Sequence, residues 1–172
     1  MNIGIYFGTT TGNTETCAEM IGEHFGESVG EPIDVATVKT KDLIQHDVLI
    51  LGVPTWNIGD IQDDWFDKLE EIEEVDFSGK KVAFFGLGDA AGYPDSFVDA
   101  LGILWKPFQK QGAEIVGLWS TEDYDFEESE GLYDENHFYG LVLDEDGEPE
   151  KTPDRIEKWV DQLKEELNLV AN

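Results

Sequence analysis

The chain has 172 residues, 40% hydrophobic and 12% aromatic, which is enough for one well-filled domain (1–172) and too little for two. Its 11 basic and 39 acidic residues leave a formal charge of −28, which repels phosphate backbones and anionic lipid and so argues against nucleic-acid binding or a membrane-surface role. The single cysteine, Cys17, excludes an internal disulfide and a cysteine-built metal cluster.

Met1-Asn2-Ile3-Gly4-Ile5 lacks the basic leader of a signal peptide and runs straight into a strand-like segment, Ile3 to Phe7. No stretch approaches the roughly 20 apolar residues that span a bilayer. Cys17, Ala18, Ile21 and Phe25 then fall at helical spacing and mark one buried face. Ile33 to Val38 reads as a short strand. Asp47 to Val53 is a nearly continuous aliphatic run, the pattern of a strand covered on both faces. A second helix is expected through Trp65, Phe66, Leu69 and Ile72, a strand over Lys81 to Leu87, and a helix carrying Phe97, Leu101, Leu104, Trp105 and Phe108. A fifth strand begins near Glu114 and runs toward Trp119. From there to Thr152 the pattern breaks into an acidic, Gly- and Tyr-containing insertion, after which the strand resumes near Leu141. Thr152 suits an N-cap and Pro153 a first helical position, with Ile156, Trp159, Val160, Leu163 and Leu167 lining the last helix. Such alternation predicts a parallel sheet with helices on both faces, and in open sheets of that kind ligands bind beyond the carboxyl ends of the strands.

Three loops fall at those ends. Gly8-Thr9-Thr10-Thr11-Gly12-Asn13-Thr14 leads from the first strand into the first helix, where free N–H groups and the helix dipole favour an anion. It is not a nucleoside-triphosphate loop, because only three residues separate its glycines and Asn13 stands where lysine is required. No Lys or Arg occurs from Met1 to Ala36, so a phosphate here would be held by neutral donors. The second loop, Pro54-Thr55-Trp56-Asn57-Ile58-Gly59-Asp60, offers an indole to a flat heteroaromatic ligand. The third, Gly86 to Pro94, contributes Gly88, Asp89 and Tyr93. Taken singly, the first also reads as a plain Thr-rich helix start, and a lone loop Trp such as Trp56 more often folds back over the core edge. Together they describe a pocket for a planar ring on a phosphorylated tail. Cys17 reads as core, and His24, His46 and His137 lack metal-ligand spacing.

These motifs, continued through Trp119-Ser120-Thr121, Tyr124-Asp125-Phe126 and Leu143-Asp144-Glu145-Asp146, resemble a long-chain flavodoxin over essentially the whole sequence. Flavodoxins are themselves the standard example of a 2-1-3-4-5 parallel sheet with FMN at its switch point, so that placement comes with the resemblance. It implies a three-layer, doubly wound, five-stranded α/β domain with an insertion in the fifth strand. Thr9, Thr10, Thr11, Gly12, Asn13 and Thr14 would bind the FMN phosphate. Trp56 and Tyr93 would sandwich the isoalloxazine. Pro54, Thr55 and Gly59 belong to the same ring-binding loop, in which the backbone at Asn57 and Ile58 faces the redox-active nitrogen. Gly88 and Asp89 would lie at the pyrimidine edge and Asp146 near the ribityl chain. Leu87 stands where many members carry Thr, and Pro94 follows Tyr93 where a small or polar residue is usual.

The resemblance further implies a monomeric, cytoplasmic or plastid-stromal carrier of single electrons, cycling FMN between semiquinone and hydroquinone in place of ferredoxin. Its partners would be basic-surfaced proteins such as ferredoxin–NADP⁺ reductase and photosystem I. Asp60, Asp63, Asp64, Asp67 and Asp89 flank the loops; one carboxylate ~12 Å from the ring at a dielectric of ~40 lowers the potential by about 0.7 kcal/mol, or ~30 mV. From Ser120 to Glu150 there are 13 acidic residues and no basic one, which suits either electrostatic steering or a solvated, salt-adapted face. An FMN-dependent quinone reductase would need an open flavin face. A receiver domain would need acids where Thr9 to Thr11 stand and a phosphoacceptor where Pro54 and Thr55 stand.

Overall fold

The computed structural model describes residues 2–56 and 58–169. Its main sheet is built on β1 (Ile3–Phe7), β2 (Ile33–Asp34), β3 (Val48–Trp56), β4 (Asp60–Ile61), β5 (Lys81–Leu87) and β6 (Glu114–Val116). β1 lies between β2 and β3, with Ile3 beside Val48 and Phe7 beside Gly52. β3 pairs in parallel with β5 from Val48/Lys81 to Pro54/Leu87, and β4 folds back antiparallel on the end of β3.

The position beyond β5 is shared by two segments. β6 covers Lys81 to Ala83, and β10 (Gly140–Leu143) covers Phe84 to Leu87, both parallel to β5. Between them β7 (Trp119–Ser120), β8 (Leu132–Asp134) and β9 (His137–Phe138) form a separate antiparallel sheet in the order β7-β9-β8. The strand expected from Glu114 to Trp119 therefore ends at Val116, and Trp119 belongs to the second sheet.

Alternation along the central strands creates a core on each face. Ile3, Ile5, Ile50 and Phe85 point toward α1 (Asn13–Phe25) and α5 (Thr152–Glu166), meeting Cys17, Ile21, Trp159 and Leu163. Tyr6, Leu49, Leu51 and Phe84 point the other way, toward α2 (Asp63–Phe66), α3 (Leu69–Ile72) and α4 (Asp99–Lys110), meeting Trp65, Ile72, Leu104 and Phe108. These are the three layers that the apolar runs of β1, β3 and β5 require.

Several local expectations are corrected. The strand at Ile33 to Val38 keeps only its first two residues, because the Asp34 carboxylate accepts from Ala36 N at 2.9 Å and turns Val35–Thr37 into a 3-10 helix. The second helix is two short pieces, and Phe66 points to solvent while Trp65 is buried, its Nε1 donating to Gly52 O at 2.8 Å. Phe97 precedes α4 rather than lying in it. Thr152 is a helical residue, not a cap; a 3-10 turn at Pro149–Lys151 leads in, and the Thr152 hydroxyl donates to Glu145.

The segment 117–139 is pinned at both ends. Arg155, on α5 and almost fully buried, bonds Asp123 and Glu148 at 3.1 Å each and lies 4.2 Å above the Tyr124 ring. Tyr124 Oη in turn donates to Val142 O and accepts from Trp119 Nε1 at 2.8 Å. On the other side Gly102 of α4 lets the backbone at Glu130 approach so closely that any side chain there would overlap it.

Candidate functional site

The carboxyl ends of β1, β3 and β5 open into a cavity of about 390 Å³. That is within the range of small-molecule sites. Its first wall is the β1–α1 loop. Gly12, at φ 92°, makes the left-handed turn that starts α1 without a side-chain cap, so the first-turn N–H groups of Asn13, Thr14 and Glu15 lack intrahelical acceptors. Thr11, Asn13 and Thr14 line the cavity. Thr9 and Gly12 do not. The Thr9 hydroxyl instead accepts from Gly12 N at 3.0 Å and holds the loop's shape from within. Beneath this loop sits buried Gln62, which donates to Asp64 at 2.8 Å and to Thr9 O at 3.4 Å.

The second wall comes from the end of β3. Pro54, Thr55 and Trp56 all line the cavity. The Thr55 hydroxyl accepts from Ala100 N at 3.1 Å and ties the strand end to the first turn of α4. Trp56 pairs with Asp60 across the hairpin, whose turn uses Gly59 at φ 83°. The indole Nε1 of Trp56 is buried with no hydrogen-bond partner. Trp56 also lines a second groove, of about 570 Å³, which Thr10 and Gly59 border. Ile58 is 80% exposed and lines neither, and Asn57 lies outside the described residues.

The third wall carries Leu87, Gly88, Asp89 and Tyr93. Asp89 accepts from Gly92 N at 2.9 Å, Tyr93 N donates to Asp89 O at 2.9 Å, and the Tyr93 ring is 44% exposed. The sequence pattern missed what lies behind it. Ser96, Phe97 and Val98 also line the cavity, and Val98 adopts φ 48°, a left-handed conformation that is a clear outlier for a β-branched residue.

A fourth contribution is the turn after β10, where Glu145 and Asp146 reach the cavity. Asp144, buried beneath them, accepts from Gly147 N at 2.8 Å and from Ala90 N at 3.2 Å, clamping this turn to the Tyr93 loop. Partial burial, followed by the charges of Asp89 and Asp144, pushes the Asp146 carboxyl above the usual range. No Lys or Arg lines the cavity among the described residues. Its donors are hydroxyls, amides and backbone N–H groups.

A doubly wound sheet whose carboxyl edge combines a helix N-terminus with aromatic walls defines an α/β domain of the mononucleotide-binding class. Comparison with known proteins narrows this. The flavodoxin family model matches residues 5–159. A flavodoxin of Klebsiella pneumoniae is 50% identical over 97% of this chain and 95% of its own length. A flavodoxin of Nostoc sp. strain PCC 7120 is 48% identical over 97% and 98%. The crystal structure of Fusobacterium nucleatum flavodoxin bound to flavin mononucleotide superposes with a TM-score of 0.90 at 32% identity, covering 96% of this chain and 98% of that one. The chain belongs to the flavodoxin family, whose members are electron-transfer proteins rather than enzymes.

Proposed function

We propose that this cleft holds FMN without a covalent bond and that the protein is a low-potential carrier of single electrons. The observation that supports it most is the pairing, in one cavity, of an uncharged helix N-terminus with two aromatic side chains, Trp56 and Tyr93. The donor set suits the cofactor. Asn13, Thr14 and Thr11 receive the phosphate, with Gly12 and Thr9 shaping the loop and Thr10 at its outer rim. The unpartnered Trp56 Nε1 offers a buried donor to a ligand acceptor. Pro54 and Thr55 wall the ring site at the head of the loop that continues through residues 57–59; Gly88, Asp89 and Asp146 border the ring and tail. Bound flavin supplies reversible one-electron chemistry. The residues around it exclude water and surround it with negative charge, which makes a further electron harder to add.

We infer a single domain over 1–172, acting as a monomer in the cytoplasm or a plastid stroma. Its partners are basic-surfaced redox proteins such as ferredoxin–NADP⁺ reductase or photosystem I. The exposed, unclamped acidic residues among the 13 from Ser120 to Glu150 steer encounter with them, so the docking rate falls steeply as salt rises. Titration of apoprotein with FMN and with riboflavin tests the site. FMN should bind far more tightly than riboflavin, and Trp56→Ala and Tyr93→Ala should each weaken it. Stepwise reduction should then resolve two separate one-electron steps. Colourless protein that takes up no added FMN would refute the reading.

A further inference from the structure

The groove of about 570 Å³ shares a wall with the cofactor cleft: Trp56 lines both. Its floor is apolar, made by Phe66, Leu69 and Ile103, and Asp60 and Asp63 stand among its lining residues. Phe66 is 63% exposed on a chain of net charge −28. An aromatic of that size left in water, beside a hollow and under a rim of carboxylates, is the arrangement found where one side chain of a partner is received. A second hollow of about 320 Å³ continues from it, sharing Leu69 and Ile103.

We propose that this groove is the anchor point for redox partners, and that its occupant is an exposed apolar side chain of the partner flanked by Lys or Arg. Two features select that occupant. The floor is complementary to an aliphatic or aromatic group, and the acidic rim is complementary to flanking cations and hostile to a second copy of this acidic chain. The location serves electron transfer, because a group seated there lies against Trp56, which also lines the cleft. The inference rests on the proposed carrier function and adds to it a place where partners are held. Phe66 is the contact residue, and Asp63 sets the charge preference.

The test is NADPH-driven reduction of the FMN-loaded protein by a purified ferredoxin–NADP⁺ reductase, comparing wild type, Phe66→Ala and Asp63→Asn. Phe66→Ala should raise KM for the carrier about tenfold, equivalent to about 1.4 kcal/mol, with kcat, flavin spectrum and FMN affinity unchanged. Asp63→Asn should flatten the dependence of KM on salt while Phe66→Ala leaves that slope alone. An unchanged KM for Phe66→Ala overturns the proposal, and so does a changed flavin spectrum or FMN affinity, since either places the effect in the cleft. Failure of wild type to bind FMN or accept electrons would instead remove the carrier function itself.

Discussion

Asp144 is the residue whose removal says most about how the cleft is held. Its carboxylate is buried at 2% exposure and accepts from Ala90 N at 3.2 Å and Gly147 N at 2.8 Å, joining two cavity walls 54 residues apart in sequence. Hydrogen bonds to a charged acceptor contribute ~1.5–3 kcal/mol each, so Asp144→Ala removes ~3–6 kcal/mol of bonding. Two effects offset part of this. The variant no longer buries a charge close to Asp89 and Asp146, and water can reach the half-buried Ala90 and exposed Gly147. A net loss of ~2–3 kcal/mol remains, which in a protein of this size lowers Tm by ~4–12 °C. Asp144→Asn keeps one acceptor oxygen and should lose about half as much. The assay is urea unfolding of apoprotein with and without FMN, together with FMN titration, where Asp144→Ala should raise Kd at least about tenfold because the two walls are no longer tied. Asp144→Ala within ~0.5 kcal/mol of wild type, with unaltered FMN affinity, would show that these walls keep their positions without the clamp.

Three further outcomes follow from other groups. His46 faces Tyr6 Oη at 2.8 Å and Asn2 Oδ1 at 2.9 Å, and burial, then Lys80, hold its pKa below 6.5 against the opposing pull of Asp47. The unfolded chain therefore takes up this proton first, and stability should fall as pH drops below about 6.5 and level off below the folded-state pKa, a slope that His46→Gln removes in urea melts. Burial, followed by the charge of Glu145, pushes the Cys17 thiol up to about 12; a thiol reagent at pH 8 should modify native protein only as fast as it unfolds, and rapid labelling would contradict the burial. Asp60→Asn combined with Asp63→Asn should raise the more negative one-electron potential of the FMN-bound protein by ~60 mV for charges ~12 Å from the ring, less in high salt, and an unchanged potential in a redox titration would discount these carboxylates.

What was legible in the sequence was whatever depends on a repeating pattern. β1, β3 and β5 are apolar on both faces because helices cover both, so their runs point to a three-layer fold. Thr11, Asn13 and Thr14, Pro54 to Trp56, and Gly88, Asp89 and Tyr93 are legible as cleft residues because topology fixes where strand-end loops go. Residues answering to a single hydrogen bond or to distant chain were not legible. Asp34 ends β2 by capping a turn, which no hydrophobic period encodes. Phe66 sits at helical spacing with Leu69, yet the chain breaks between two short helices and leaves its ring outside. Ser96, Phe97 and Val98 join the cavity only because the chain after Tyr93 folds under it, and Glu145 only because β10 returns beside β5. The family resemblance includes Thr9 and Gly12 in the phosphate loop, and the bond between them, which holds that loop's shape, is not legible in the sequence.

The strained residue beneath the cleft shows why that return matters. Val98 holds φ 48° with its side chain fully buried, a conformation that costs on the order of 1–3 kcal/mol and needs support from outside its own segment. The support comes from residues 127–130. Glu127 N and Glu128 N both donate to Pro94 O, at 2.8 and 2.9 Å, and Phe97 N donates to Glu128 O at 3.2 Å. The Ser129 hydroxyl donates to Phe97 O, and Glu130 N to the Asp99 carboxylate at 2.7 Å. On the side of residues 127–130 every one of these bonds is made by backbone or by Ser129, none by the glutamate side chains that give the stretch its charge. The same residues thus do two separable things. Their backbone fixes the floor of the cleft, and their carboxylates face solvent, so substitutions that neutralise the surface leave the bonds that hold Val98 in place.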